Sequence, residues 1–471
     1  MADFDYDLIA IGAGTAGLTV TRLVAGSGKR VAMVEADRPG GDCLWTGCVP
    51  TKALLQSAKA FWDAKHAGRF GVVAGDVRLD FAAVRRHLLA SQEAAGRVET
   101  EEAIAANGVE LLRGRARFID DHTLDIDGKK VTGARIAIAT GSEPTIPPIP
   151  GLAEAGPETN VEALSWEELP KSLCIIGGGA IGLEFAQMMN RFGVVTTLVE
   201  GLPRIMAAGE PAASAVIADT LRGEGVTLYE GSSVTRVERT GSRKRVHFDL
   251  NGEEHVVECE RILVATGRRP RVEGLGLDAA EVEYSVKGIP VDKKLRTSKK
   301  HIYALGDVNG GPQFTHVADD QARQAAAGIN GSQMAAWDDR VVPRVIFTDP
   351  EVATVGLTEQ EARTRHGKRV KVFEVALEDV DRAITMGVKD GFFKVITARG
   401  GWNRFIPGAK KLMGDPIVGA TLVAPGAGEL LAPISMAMKA YLPIGLAAWP
   451  EAPYPTLALG LRQALGRQFD R

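Results

Sequence analysis

The chain has 471 residues, 45% apolar and 24% charged, with 56 Lys and Arg against 59 Asp and Glu for a formal net charge of −3. This balance describes a globular protein of about three domains with no excess of basic charge for a polyanion, so no nucleic-acid partner is expected. Four cysteines in this length exclude a secreted disulfide framework, and the start Met-Ala-Asp-Phe-Asp-Tyr-Asp lacks the basic and apolar regions of a signal peptide.

The first predicted strand begins at once. Tyr6 to Ile11 is a short apolar run of the kind that forms a buried parallel strand, closed by Gly12-Ala13-Gly14-Thr15-Ala16-Gly17. A helix is expected over 18–26 and a second strand over Arg30–Glu35. The segment Gly40 to Lys52 then carries Cys43 and Cys48, and the strand Arg135–Gly141 leads into a Pro-rich crossing at 144–150. The opening pattern now repeats. Leu173–Ile176 is closed by Gly177-Gly178-Gly179-Ala180-Ile181-Gly182, a helix is expected over 183–192, Val195–Glu200 reads as a strand, and Arg261–Gly267 matches Arg135–Gly141. The second unit reads as an insertion in the first, which resumes near residue 280. From Arg340 the pattern changes, with strands expected at Val341–Phe347, Val370–Val375 and Gly391–Thr397 and helices at Thr358–Thr364 and Gly428–Ala440. The apolar stretch Leu430–Trp449 contains Pro433, Lys439 and Pro443, which suits a buried subunit interface better than a membrane span. No membrane partner is expected, and the chain reads as cytoplasmic.

The expected fold is therefore α/β: two Rossmann-like dinucleotide-binding domains, the second inserted in the first, plus a C-terminal α+β domain. The expected boundaries are 1–150 with 280–338, then 151–279, then 339–471.

Each G-x-G-x-x-G lies between a strand and a helix, and an acidic residue, Glu35 or Glu200, ends the following strand, as a dinucleotide fingerprint requires. Gly12 and Gly177 make the tight turn, Gly14 and Gly179 admit a pyrophosphate to the backbone, and Gly17 and Gly182 allow close helix packing. Phosphates would sit at the helix N-termini, where free N–H groups favour anions. Glu35 and Glu200 would accept ribose hydroxyls. A carboxylate at Glu200 repels a 2′-phosphate, favouring NADH, while nearby Arg204 leaves NADPH open.

Cys43 and Cys48 are spaced C-x4-C. Along a regular helix that is about 7.5 Å of rise, more than the roughly 4.4–6.8 Å between the Cα atoms of a disulfide. A redox-active pair therefore needs a distorted backbone, which Gly47 and Pro50 could help supply; two inert thiols, as expected for Cys174 and Cys259, are the other reading.

With these motifs the chain resembles the class I pyridine nucleotide-disulfide oxidoreductases, which include lipoamide dehydrogenase, glutathione reductase and mercuric reductase. The resemblance rests on the Gly12 and Gly177 loops, Gly41-Asp42-Cys43 through Cys48-Val49-Pro50-Thr51-Lys52, Ala265-Thr266-Gly267-Arg268-Arg269-Pro270, Tyr303-Ala304-Leu305-Gly306-Asp307-Val308 and Phe347-Thr348-Asp349-Pro350-Glu351. It implies FAD in the first unit, NAD(P)H in the second, and a homodimer whose active sites are each completed by the partner chain. It also implies that Cys43 is the interchange thiol and Cys48 the thiol against the flavin, with Lys52 near the flavin and paired with Glu184. Thr140, Gly141, Gly267, Gly306, Asp307 and Ala318 fall in cofactor-binding segments, and His316 in a segment beside the flavin.

The pattern breaks at the C-terminus. Disulfide reductases of this family carry H-x-H-P-x-x-x-E there; this chain places Tyr454 at the catalytic His, Ala452 at the earlier His and Leu459 at the Glu. A phenol with a pKa near 10 is a poor proton shuttle for a thiol. Tyr454, like Asp349, resembles the mercuric-reductase branch, but the vicinal Cys pair that ends those enzymes is missing. The leading expectation is an FAD enzyme moving electrons from NAD(P)H through Cys43 and Cys48 to a metal ion, an electrophile or a small disulfide. The alternatives are a dihydrolipoyl dehydrogenase, a quinone reductase or diaphorase using flavin directly, and a mainly structural component of a 2-oxo-acid dehydrogenase complex. No resident metal is expected.

Overall fold

The computed structural model describes residues 4–334, 336–399 and 413–469. The apolar run at the N-terminus forms the strand Leu8–Ile11, buried along its whole length. It pairs in parallel with Val31–Glu35 on one edge and Ile136–Ile138 on the other, and its two faces are covered by separate apolar clusters, Leu8 and Ala10 in one and Ile9 and Ile11 in the other. The complete sheet has five parallel strands in the order Ile302–Ala304, Ile136–Ile138, Leu8–Ile11, Val31–Glu35, Val109–Arg113. The chain thus leaves this sheet after Ile138 and returns to it at Ile302.

Between these points lies a second parallel sheet, ordered Thr227–Tyr229, Val195–Val199, Ser172–Ile176, Arg261–Val264. In each sheet the strand order reverses beside the strand that precedes a glycine loop, so a crevice opens beyond the carboxyl ends there. The helix Ala180–Arg191 packs on the helix Cys48–Lys65 through one apolar cluster that includes Leu54, Ala58, Phe185 and Met189.

The C-terminal region is an antiparallel sheet of five strands, ordered Arg344–Ile346, Glu351–Gly356, Ile417–Ala424, Phe392–Ala398, Val370–Ala376. The strand expected at Val341–Phe347 is shorter than the pattern suggests, since Pro343 has no N–H to give a ladder. The apolar stretch around Leu430 is the helix Ala427–Lys439, which lays Leu431, Ile434, Ala437 and Met438 on its own sheet. Its burial is therefore partly internal, while Met436, Tyr441 and Trp449 stay exposed. Among the described residues no helix is long and apolar enough to cross a membrane. The last two residues, Asp470 and Arg471, lie outside the described residues.

Candidate active site

Both glycine loops open onto one cavity of about 2190 Å³ that the Cys43–Cys48 segment also lines. At Gly12 the backbone has φ +104°, and a Cβ would stand 2.5 Å from the Ala139 carbonyl oxygen; at Gly177 the values are +111° and 2.6 Å from that of Ala265. Neither following helix, Thr15–Ala25 or Ala180–Arg191, has a side-chain cap at Gly14 or Gly179, so first-turn N–H groups remain for a ligand. Gly17 and Gly182 each sit under the carbonyl of the loop's first glycine, where a Cβ would come within 1.9 Å. These two cradles fit the pyrophosphates of two dinucleotides.

Glu35 receives the Ala13 N–H at 2.8 Å and the Asp37 N–H at 2.8 Å. Glu200 is held in the same way, by the Gly178 N–H at 2.5 Å and the Leu202 N–H at 2.6 Å. Arg204 does not turn toward that carboxylate. Its guanidinium donates to the carbonyls of Met206, Ala207 and Gly209 at 2.7–2.9 Å. It is thus engaged with its own loop.

On the wall of the same cavity, Asp307 accepts the Ser142 hydroxyl at 2.6 Å, and Arg268 donates to the same hydroxyl at 2.8 Å. Burial pushes the Asp307 carboxyl up, opposed by the Ser142 hydrogen bond and the Arg268 charge. Arg268 also pairs with Asp42 of the cysteine segment. Gly306 donates to Gln321 at 2.8 Å, Thr140 to the Arg271 carbonyl at 2.8 Å, and Gly141, Gly267 and Ala318 line the cavity.

The cysteine segment meets the geometric demand of C-x4-C by interrupting its helix. Cys43 lies in Gly41–Trp45, Thr46 and Gly47 leave helical geometry, and a new helix starts at Cys48 and runs to Lys65. The two thiols then hydrogen-bond to each other. Gly41, at φ +60°, presses on Gly14, where a Cβ would meet the Gly14 Cα at 2.8 Å, so the redox segment is docked on the first glycine loop.

Both cysteines are free thiols, Cys43 half-buried and Cys48 exposed on the cavity wall. The pair is asymmetric. The hydrogen bond from Cys43, reinforced by Thr315 and the Lys52 charge, brings the Cys48 thiol down to about 6 against the opposing effect of burial. The same hydrogen bond, with burial and the charge on Cys48, drives Cys43 up. Thr315 Oγ1 stands 3.4 Å from Cys48 Sγ at the start of the helix Thr315–Ile329. Lys52, one turn beyond Cys48, donates to Glu184 at 2.8 Å; the other Glu184 oxygen accepts the Phe347 N–H at 3.0 Å. The Lys52 ammonium lies 4.4 Å over the Phe347 ring.

Thr315, Ser142, Arg268 and Phe347 were given no role from sequence. Arg268 and Phe347 belong to the 265–270 and 347–351 motifs and Thr315 precedes His316, whereas Ser142 has no signal beyond following Gly141. His316 lines the cavity, but its Nε2 is engaged with the Pro343 carbonyl at 2.9 Å and burial lowers its pKa. Tyr454 is not brought to the cavity of its own chain. It is 72% exposed and hydrogen-bonded to Asp381, whose charge holds the phenol proton on. Far from the cavity, Asp121, His122 and His301 gather near the start of the strand Ile302–Ala304. The two imidazoles stack at 4.1 Å, with His122 Nδ1 on the Gly133 carbonyl at 2.8 Å and His301 Nε2 on the Asp121 carbonyl at 2.9 Å.

Two family models match the chain: that of the pyridine nucleotide-disulphide oxidoreductases over residues 6–322, and the dimerisation domain of the same group over residues 342–465. The chain belongs to this family, and it is an FAD-dependent pyridine nucleotide-disulfide oxidoreductase. It is 34% identical to a mercuric reductase of Bacillus cereus over 473 residues, which is 100% of this chain and 72% of that protein. It is 36% identical to a dihydrolipoyl dehydrogenase of Thermus scotoductus over 466 residues, 98% of this chain and 96% of that one. Among solved structures it matches the Cu(II) complex of the HOCl-induced flavoprotein disulfide reductase RclA from Escherichia coli, with TM-score 0.85, 28% identity and 99% of each chain covered. Members of the family use FAD and NAD(P)H, and the dimerisation domain supports a homodimer.

Proposed function

We propose that this flavoprotein takes electrons from NADH and delivers them, through Cys43 and Cys48, to a soft metal ion or a small electrophile. The observation that supports this most is the asymmetric thiol pair at the cavity, with Tyr454 and Asp381 in place of a His–Glu dyad. The reading assigns FAD to 1–150 with 280–338, the nicotinamide cofactor to 151–279 and subunit contact to 339–471.

FAD, when bound, supplies two-electron exchange between a nicotinamide and a disulfide. The residues that would hold it are the Gly12 loop, Glu35, Asp307 and the first turn of the helix at Thr315. Opening the Cys43–Cys48 disulfide consumes two electrons and two protons. Above a pH of about 6 Cys48 returns one of those protons and keeps the negative charge, stabilised by the Lys52 ammonium, which Glu184 holds in place. Cys43 retains its proton until a substrate takes its sulfur. A soft cation accepts two thiolates directly and needs no acid to protonate a leaving thiol. A disulfide substrate does need one, and a phenol whose proton Asp381 secures serves badly. Relatives named mercuric reductase and the Cu(II)-bound RclA agree with a metal ion as oxidant.

Anaerobic NADH oxidation with Hg(II) or Cu(II) in excess thiol, against lipoamide under matched conditions, tests the reading. Metal-dependent turnover at least about tenfold above lipoamide turnover is expected. Efficient lipoamide turnover would instead make the chain a dihydrolipoyl dehydrogenase with another base.

The Arg204 guanidinium, spent on three carbonyls of its own loop, is not turned to receive a 2′-phosphate. NADH is therefore expected to exceed NADPH in kcat/KM by about a hundredfold, and Glu200→Ala to narrow that ratio by losing on NADH. Steady-state kinetics with both nucleotides reads this; equal use would require Arg204 to leave its loop.

A further inference from the structure

The segment Phe347–Asp349 enters from the C-terminal region and runs along one side of the helix Ala180–Arg191. Glu184, Gln187 and Arg191 fall on one helical side there, at i, i+3 and i+7. Phe347 gives its N–H to Glu184 at 3.0 Å. Asp349 gives its N–H to the Gln187 side chain at 2.7 Å and receives that amide on its carbonyl at 2.9 Å. One oxygen of its carboxylate, Oδ2, meets both Arg191 at 3.1 Å and Lys59 at 3.0 Å. Lys59 stands two turns beyond Lys52 on the helix that starts at Cys48.

The charges form a chain of pairs. Arg191, with a side chain only 4% exposed, takes Glu224 through two guanidinium nitrogens at 2.6 and 2.8 Å and Asp349 through a third. Lys59 is shared between Asp349 and Asp63. Asp349 thus adds to the Lys52–Glu184 pair a second carboxylate link between the two helices, made from outside both. One helix carries Cys48 and Lys52, and the other carries Glu184. The Asp349 carboxyl is held below its ordinary range by Arg191 and Lys59 against the opposing effect of burial.

We infer that Asp349 is a positioning residue for the redox centre: it fixes the helix of Cys48 and Lys52 against the helix of Glu184, and so sets the Lys52 ammonium where it holds the Cys48 thiolate. This rests on the reading that Cys48 is the thiol beside the flavin. Removing the carboxylate charge leaves Lys59 and Arg191 facing each other across a neutral amide. The strap then relaxes, and the Phe347 N–H that holds Glu184 moves with it. The consequence reaches Cys48 only through Lys52.

The test is Asp349→Asn in the FAD-loaded protein, an isosteric change that keeps both backbone hydrogen bonds to Gln187. The readout is the long-wavelength thiolate-to-flavin absorbance of the two-electron-reduced protein, titrated with pH. Asp349→Asn is expected to move the midpoint up by about half a unit, about threefold in the ionisation constant. In a Lys52→Met background it is expected to add nothing, because both changes act through one ammonium. A wild-type midpoint in Asp349→Asn, or a full additional shift in the double variant, would overturn the inference and leave an ion cluster that serves folding alone. If Asp349→Asn does not fold, Lys59→Met at the half-exposed end gives the same test, and an unmoved midpoint there also overturns it. Absence of the band in the wild-type protein would instead count against Cys48 as the flavin-side thiol.

Discussion

Cys43→Ser is expected to keep NADH-driven quinone reduction while losing at least about a thousandfold in turnover of the thiol-dependent acceptor. The serine hydroxyl reproduces the hydrogen bond to Cys48 and fits the same half-buried place in Gly41–Trp45. It cannot form a disulfide with Cys48, so no two-electron store exists outside the flavin. It also gives no soft ligand to a metal ion. The two activities, measured side by side on one preparation, separate the thiol route from direct flavin transfer. Full retention of both would make the chain a diaphorase with bystander cysteines. Failure to retain flavin would point to a structural component.

Lys52→Met is expected to raise the Cys48 midpoint from about 6 by about one unit. The sign follows from the charge: an ammonium one turn away favours the thiolate, and its removal favours the thiol. At pH 7 the thiolate would fall from about nine-tenths of the population to about one half, and activity that needs it would fall on the acid side while converging with wild type at high pH. The absorbance titration and the pH–rate profile should move together. An unmoved midpoint would leave the Cys43 hydrogen bond and Thr315 as the sources of the acidity.

Several features of the site could be read from the chain because they are local. The tight turn at Gly12 or Gly177 has positive φ, which glycine tolerates; the close approach to the carbonyl of Ala139 or Ala265 on the neighbouring strand adds a second demand that only the fold reveals. The C-x4-C spacing required a distorted helix only if the pair is to bond, with two inert thiols as the other reading; the helix does break, at Thr46 and Gly47. Lys52 and Glu184 were linked only by resemblance, since 132 residues separate them. Tyr454 was legible as a departure from the family's histidine, but its partner Asp381 was not, since 73 residues separate them and Asp381 lies on another helix.

Sequence by itself determined the two dinucleotide cradles, the acidic residues that close them and the candidate redox pair, because each follows from steric or chemical limits within a few residues. Tertiary structure alone decided the rest. It turned Arg204 inward onto three carbonyls, set Thr315 against Cys48, kept Tyr454 off its own chain's cavity and brought Asp349 between two helices. Apart from the short loop that holds Arg204, these placements join residues more than 70 positions apart, and no periodicity or spacing in the chain encodes that packing.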